Sequence, residues 1–206
     1  LFTQGYRLQV GLLHDDLKQM ENHLDDFASR QLDGVICASH TYLKFGEKIP
    51  QLLSRFKNRI FIQEPIGSHH SSFVAPDIVS GIHLLSDHLL RMERKRIALL
   101  LGEITDYSAV RLAEAFRKRI KEVGDAKSSA IVVDCPMEYP ADSHKGAQFL
   151  VDAAMKSKPD ALIAGSDYTA MWVMKVLEER GIKVPEDMAV VSNLHTNVGL
   201  AWPEPI

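Results

Sequence analysis

Cysteine is scarce in this chain: two occur in 206 residues, Cys37 and Cys135, each inside an apolar run of strand length. That excludes a disulfide-stapled secreted scaffold and points to two buried, reduced thiols in a cytoplasmic protein. No apolar stretch approaches the ~20 residues that cross a bilayer, and no secretory leader is recognisable. Excess charge of one sign is missing too. Twenty-four Lys and Arg against 27 Asp and Glu leave a net charge of −3, a poor basis for binding nucleic acid phosphates directly. Enzyme signatures are absent: there is no G-x-G-x-x-G, phosphate loop, G-x-S-x-G, H-E-x-x-H or C-x-x-C. None of the nine histidines shows close ligand spacing on one helical face, so no metal or other cofactor is expected. Internal repeats and low-complexity tracts are lacking.

What is present is an ordinary globular composition, 46% apolar and 25% charged, in a chain long enough for one large or two small domains. Strand-like and helix-like stretches alternate along it. Tyr6–Leu13 alternates loosely and reads as a strand. Asp15 or Asp16 then caps a helix to about Arg30, with Met20, Leu24 and Phe27 as its apolar stripe. Val35–Ala38 reads as a buried strand and Arg59–Ile62 as a strand, with a helix over Gln51–Phe56 between them. The Gln63–Pro76 stretch is polar loop. Asp77 caps a helix to about Arg91, followed by strand Ile97–Leu101, helix Ala109–Val123, strand Ser129–Asp134 and helix Ser143–Met155. Such alternation implies parallel sheets joined by right-handed crossovers, an α/β fold.

The most informative stretch runs from Pro159 to His195. Ala161–Gly165 is a strand, Ser166 and Asp167 supply the helix cap, and Met171, Val173, Met174, Val176 and Leu177 form an apolar stripe. Gly181 sits where a left-handed terminating residue belongs, Pro185 blocks continuation, and Met188–Val191 is the next strand. In open parallel sheets the residues just past a strand's carboxyl end line the ligand crevice, which puts Ser166 and Asp167 at a rim.

This stretch resembles the effector-binding domain of LacI/GalR transcription regulators. The family pattern P-D-A, then N-D-x-x-A, then G-I-x-V-P-E-D-(apolar)-A-V-V stands here as Pro159-Asp160-Ala161, Ser166-Asp167, Ala170 and Gly181 through Val191. Leu32-Asp33-Gly34-Val35-Ile36 resembles the family's V-D-G-I-I, and Asp77, Gly81, His88-Leu89 and Arg96-Ile97-Ala98 resemble its next helix and strand. The resemblance implies two α/β/α subdomains with hinge crossovers, of the periplasmic-binding-protein-like type I. Expected boundaries are 1–74 plus 195–206 for the first subdomain and 75–194 for the second, with hinges at Phe73–Pro76 and His195–Asn197. It also implies that the chain is truncated at both ends and lacks a DNA-binding head.

Candidate ligand residues follow from strand ends and from the resemblance. Arg111 opens the helix after Ile97–Leu101, and its guanidinium offers a rigid donor fork for a carboxylate or neighbouring hydroxyls. Arg111-Leu112 followed by Phe116 resembles the family's R-L-x-G-F, with one extra residue and no glycine. Ser166 stands where the family has the Asn that binds sugar hydroxyls, and Asp167 keeps the family Asp. Pure helix capping is the competing role for Asp167. After Val191 the family's G-(F/Y)-D-D is replaced by Ser192-Asn193-Leu194-His195, leaving Asn193 and His195 as neutral substitutes. Ser39, His40 and Gln63 follow strands in the first half, and Tyr139 could stack on a sugar face.

Taken together, the resemblance implies a non-enzymatic domain that binds a small effector, a sugar or sugar derivative. Closure of the subdomains would control operator DNA binding by a homodimer through the missing head. The alternative on the same fold is the solute-binding protein of a sugar transporter.

Overall fold

The computed structural model describes residues 2–12, 16–38, 45–66, 72–102, 104, 107–136, 138–194 and 196. The chain divides into two compact units, Leu1–Pro76 and Asp77–Ile206. Of residues 195–206, expected to return to the first subdomain, only 196 is among the described residues.

In unit 1, helix α1 (Leu17–Ser29) starts where Asp16 accepts the Lys18 N–H, so the cap is Asp16. Its Met20, Leu24 and Phe27 are buried as the helical spacing predicts. Strands β1 (Val35–Cys37), β2 (Arg59–Ile62) and β3 (Phe73–Val74) form a parallel sheet in that order. Helix α2 (Lys48–Leu53) begins three residues before the expected Gln51, with Pro50 still in its first turn, where a missing N–H costs nothing. Met20, Leu24 and Phe27 of α1 and Ile49 and Leu53 of α2 join Val35, Cys37 and Phe61 in one cluster. Both helices therefore cover one face of the sheet. On the other face Ile36, Ile62 and Val74 are 68%, 41% and 60% exposed.

Two expectations fail here. The strand expected over Tyr6–Leu13 is not formed in its described part: residues 6–12 have no regular structure, and Tyr6, Leu8, Val10 and Leu12 are all exposed. The segment lies along α1 instead of beside a strand. Gln9 Nε2 donates to Asp26 Oδ2 at 2.7 Å, and the His23 ring meets the Leu12 carbonyl at 3.1 Å. Period-two alternation makes a strand only where another strand supplies the ladder. Conversely, the supposed loop at Phe73–Val74 is strand β3. The Gln63 N–H donates to Val74 O at 2.8 Å and extends the pairing past β2; two residues are too short for periodicity to register.

Unit 2 contains α3 (Ile78–Arg91), β4 (Arg96–Leu101), α4 (Tyr107–Val123), β5 (Ser129–Asp134), α5 (His144–Met155), β6 (Ala161–Ala164), α6 (Asp167–Glu179) and β7 (Ala189–Ser192). The four strands are parallel, in the order β5-β4-β6-β7. Side chains alternate between two cores. Ile97, Leu99 and Ile163 meet Ile82 and Leu89 of α3 and Leu112, Phe116 and Ile120 of α4. Ala98, Leu100 and Leu162 meet Leu150 and Val151 of α5 and Val173, Val176 and Leu177 of α6. Burial on both faces explains why β4 and β6 read as unbroken apolar runs. Gly181 terminates α6 at φ 71°, a left-handed conformation that glycine adopts without a Cβ clash. Neither cysteine is in a disulfide, and both are buried, as expected. Among the described residues no helix is long and apolar enough to cross a membrane.

Candidate functional site

The register of unit 2 brings the four strands to a common edge. Leu101 pairs with Asp134, Leu100 with Ala164, and Ala164 with Ser192. One residue further on, Cys135, Gly165 and Asn193 donate their N–H groups to Leu101, Leu100 and Ala164, completing the row. At this edge the chain takes opposite directions. After β4 it enters α4, on the face shared with α3. After β6 it enters α6, on the face shared with α5. The gap between β4 and β6 is therefore the topological switch point, where doubly wound sheets leave a crevice for ligands. Gly165 lies at that gap. A Cβ there would come within 3.1 Å of Leu101 Cδ2 and 3.2 Å of the Leu100 carbonyl, so the two strand ends approach as only glycine allows without displacement.

Arg111 and Ser166 flank the switch. Arg111 lies one turn into α4, with its guanidinium carbon 5.9 Å from the Tyr107 ring centroid, a cation–π distance. Ser166 is the residue that caps α6: its Oγ accepts the Thr169 N–H at 3.1 Å and lies 3.0 Å from Thr169 Oγ1. Asp167, a candidate ligand residue with capping as its competing role, is not the cap but the first residue inside the helix, and it is almost completely buried. Its Oδ1 accepts from Ser192 Oγ, and its Oδ2 accepts from the Thr196 N–H at 2.7 Å and the Thr196 hydroxyl at 2.6 Å.

Asn193 follows β7 on the opposite face of the sheet from Ser192. Its Oδ1 would be 3.3 Å from a Cβ on Gly81, in the first turn of α3. Asp77 caps that helix, and the Ser80 N–H it accepts holds its carboxyl below the usual carboxylate range. Tyr139 is placed differently from the rest. Its ring stacks on Phe149 of α5 at 5.7 Å between centroids, with Lys145 Nζ 4.4 Å from its centre. Gln63 sits at the end of β2 in unit 1, at φ 81°. Ser39, His40 and His195 lie outside the described residues.

Arg111, Ser166, Asp167 and Asn193 thus share one edge of unit 2, while Tyr139 is engaged by α5. Reading the sequence overlooked Ser192 and Thr196 as partners of Asp167. Thr196 is 29 residues from Asp167, and no local pattern links a helix's first residue to a chain two elements later. Among the described residues no group of three or more His, Cys, Asp or Glu is placed to hold a metal ion. What the edge offers is a guanidinium, hydroxyls, a carboxamide and a helix N-terminus, groups suited to binding a polar molecule.

Comparison with known proteins agrees with this geometry. Residues 86–204 match the family described as the periplasmic binding protein-like domain. The HTH-type transcriptional repressor PurR of Haemophilus influenzae is 27% identical over 193 residues, 92% of this chain and 55% of the relative. The chain therefore spans about half the length of the curated relatives it matches. Among solved structures, the transcription regulator CcpA of Lactococcus lactis superposes with a TM-score of 0.76 at 18% identity, covering 96% of this chain and 70% of that one. A CelR–cellobiose complex superposes with a TM-score of 0.72 at 20% identity, covering 91% of this chain and 57% of that one. The chain belongs to the periplasmic binding protein-like domain family, is similar in sequence to PurR repressors and shares its fold with a LacI-family regulator of Escherichia coli.

Proposed function

We propose that this domain binds a small polar effector, a sugar or sugar derivative, at the edge marked by Arg111, Ser166 and Asn193. Within a longer cytoplasmic regulator, that binding controls operator recognition by a homodimer. The observation that supports the reading is the divergence of α4 and α6 at the β4–β6 gap, with Arg111 one turn into α4 and Ser166 at the cap of α6. A ligand with several hydroxyls loses water on entering such a site and needs paired donors and acceptors in return. Ser and Asn do both, and Arg adds a fork for an acidic or oxidised group. One solved neighbour is described as a complex with cellobiose, which supports including disaccharides among the candidates.

The regulatory step is closure of the two units about their crossovers. An effector acts only through its higher affinity for one arrangement, so ligand affinity and DNA affinity are linked.

A thermal-shift panel of monosaccharides, cellobiose, sugar acids and nucleobases tests the reading. A true effector at a hundred times its Kd contributes about 2.7 kcal/mol, a rise of several degrees in a chain of this size. Arg111→Ala and Ser166→Ala should each remove most of that rise without lowering the unliganded Tm by more than a few degrees. A rise that survives both substitutions removes the site from this edge.

A further inference from the structure

Asp167 has a feature that neither capping nor ligand contact explains. It is only 1% exposed, and burying a carboxylate is costly unless donors replace its water. The cap of α6 is already made by Ser166. The donors around Asp167 come from the other end of the β6–α6–β7 unit: the Ser192 hydroxyl at the end of β7, and the N–H and hydroxyl of Thr196. Both of its oxygens are engaged there, and the negative charge also sits in the favourable field of the first turn of α6.

We propose that Asp167 is a positioning residue, which fastens the chain leaving β7 to the first turn of α6. Ser192 ends β7, Thr196 lies on the departing segment, and Ser166 immediately precedes Asp167. The strand end, the departing chain and the capping hydroxyl therefore move as one body. An effector that draws on Ser166 shifts Thr196 with it, and displacing Thr196 breaks two charge-assisted hydrogen bonds. This functional consequence rests on the effector-binding reading of the edge; the fastening itself does not.

A carboxylate is required because the two oxygens accept from different residues. Asn in its place keeps one acceptor and turns an NH2 group toward a donor. Amide hydrogen exchange of the whole chain, read by NMR at Thr196, is the test. In the wild type the Thr196 N–H should be protected. In Asp167→Asn it should exchange about tenfold faster or more, while Leu99 and Ile163 keep their rates. Ser166→Ala removes the cap and should leave Thr196 protected, because the carboxylate remains. An unprotected Thr196 in the wild type overturns the proposal, as does equal loosening by Ser166→Ala and Asp167→Asn, which reduces Asp167 to a helix-end residue. Should Asp167→Asn fail to fold, Ser192→Ala and Thr196→Val approach the same bonds from the other side. Each must then speed Thr196 exchange, and unchanged rates in both sink the fastening. A ligand panel that stabilises nothing would sink the effector reading and leave this measurement untouched.

Discussion

Units 1 and 2 are assembled from the same parts, parallel strands linked by helices, yet their sheets stand in different surroundings. In unit 2, Ile97, Leu99 and Ile163 pack on α3 and α4, and Ala98, Leu100 and Leu162 pack on α5 and α6. In unit 1, α1 and α2 cover one face, and Ile36, Ile62 and Val74 on the other are exposed. The exposed residues are as apolar as those buried in unit 2. Strand composition therefore reports which neighbours a sheet is suited to, and the neighbours decide whether an apolar side chain contributes to stability.

The largest test of that contrast is truncation. Leu99→Ala removes methyl groups from a core with helices packed over it and should cost about 3 kcal/mol in urea unfolding. Ile36→Ala removes a side chain already in water and should cost less than about 1 kcal/mol. Equal losses would mean that the open face of unit 1 is covered in solution, and the comparison would fail. Hydrogen exchange sharpens the same point without mutation. The amides of Leu99 and Ile163 should exchange on the order of a hundredfold more slowly than those of Ile36 and Phe61.

Helix caps come next, because they are matched between the units. Asp16 accepts the Lys18 N–H in unit 1, and Ser143 accepts the Gly146 N–H in unit 2. Each change to Ala should cost about 1 kcal/mol, measured as a shift of the urea midpoint. The sites of loosening should differ: Asp16→Ala should speed exchange across α1 and β1, and Ser143→Ala should speed it only in the first turns of α5. General loosening of unit 2 by Ser143→Ala would show that its two covered faces do not make it the more cooperative body.

Both units were partly legible in the sequence: in unit 1 the Asp16 cap, the Met20, Leu24 and Phe27 stripe and strands β1 and β2 fall where the pattern puts them. The β4 and β6 runs, the stripe of α6, the Asp77 cap and the glycine at Gly181 all follow from short-range rules, and the structure has them where the pattern puts them. The resemblance to LacI-type regulators rested on the same stretch, which lies within the family match. Tyr6–Leu13 misled because alternation specifies a strand's two faces without supplying its partner. Strand β3 was invisible because two residues carry no period. At the edge, the approach of Arg111, Ser166, Asp167 and Asn193 followed from the βαβ rule. The attachment of Asp167 to Thr196 did not, because it is a tertiary contact between elements whose order in the sheet must be known first.

A moderate effect is expected between α3 and α4. Arg119 donates to both oxygens of Asp87, at 2.8 and 2.6 Å, and this guanidinium holds the Asp87 carboxyl below its usual range. A depressed carboxylate contributes stability above its unfolded pKa and loses it as pH falls through the folded value. Unit 2 should therefore weaken below about pH 4, and Asp87→Asn should flatten that part of the stability–pH curve. An unchanged slope would show that the pair is solvated and contributes nothing specific to the joint between the helices.

The smallest expected effect concerns two exposed acids, one in each unit. Asp125, in the turn before β5, takes a hydrogen bond from Lys95 Nζ at 2.5 Å and from the Lys127 N–H at 2.8 Å. Lys95 is the main reason its carboxyl is lowered to about 2. Asp26 in unit 1 is also lowered, chiefly by Arg30 one turn along the same helix and then by Gln9. The partners differ in sequence distance: 30 residues separate Lys95 from Asp125, and four separate Arg30 from Asp26. A pair built across the fold disappears when unit 2 unfolds, whereas a pair within one helix lasts as long as that helix, even if the sheet beside it has opened. NMR titration should find Asp125 rising toward the ordinary value near 4 in Lys95→Ala, with its stabilising contribution present above that pH and lost as pH falls toward 2. In urea just sufficient to open unit 1, Asp26 should stay depressed while α1 persists, and Asp125 should stay depressed because unit 2 is intact. If Asp125 returns to its ordinary value first, the ranking of the two units by their covered faces is reversed.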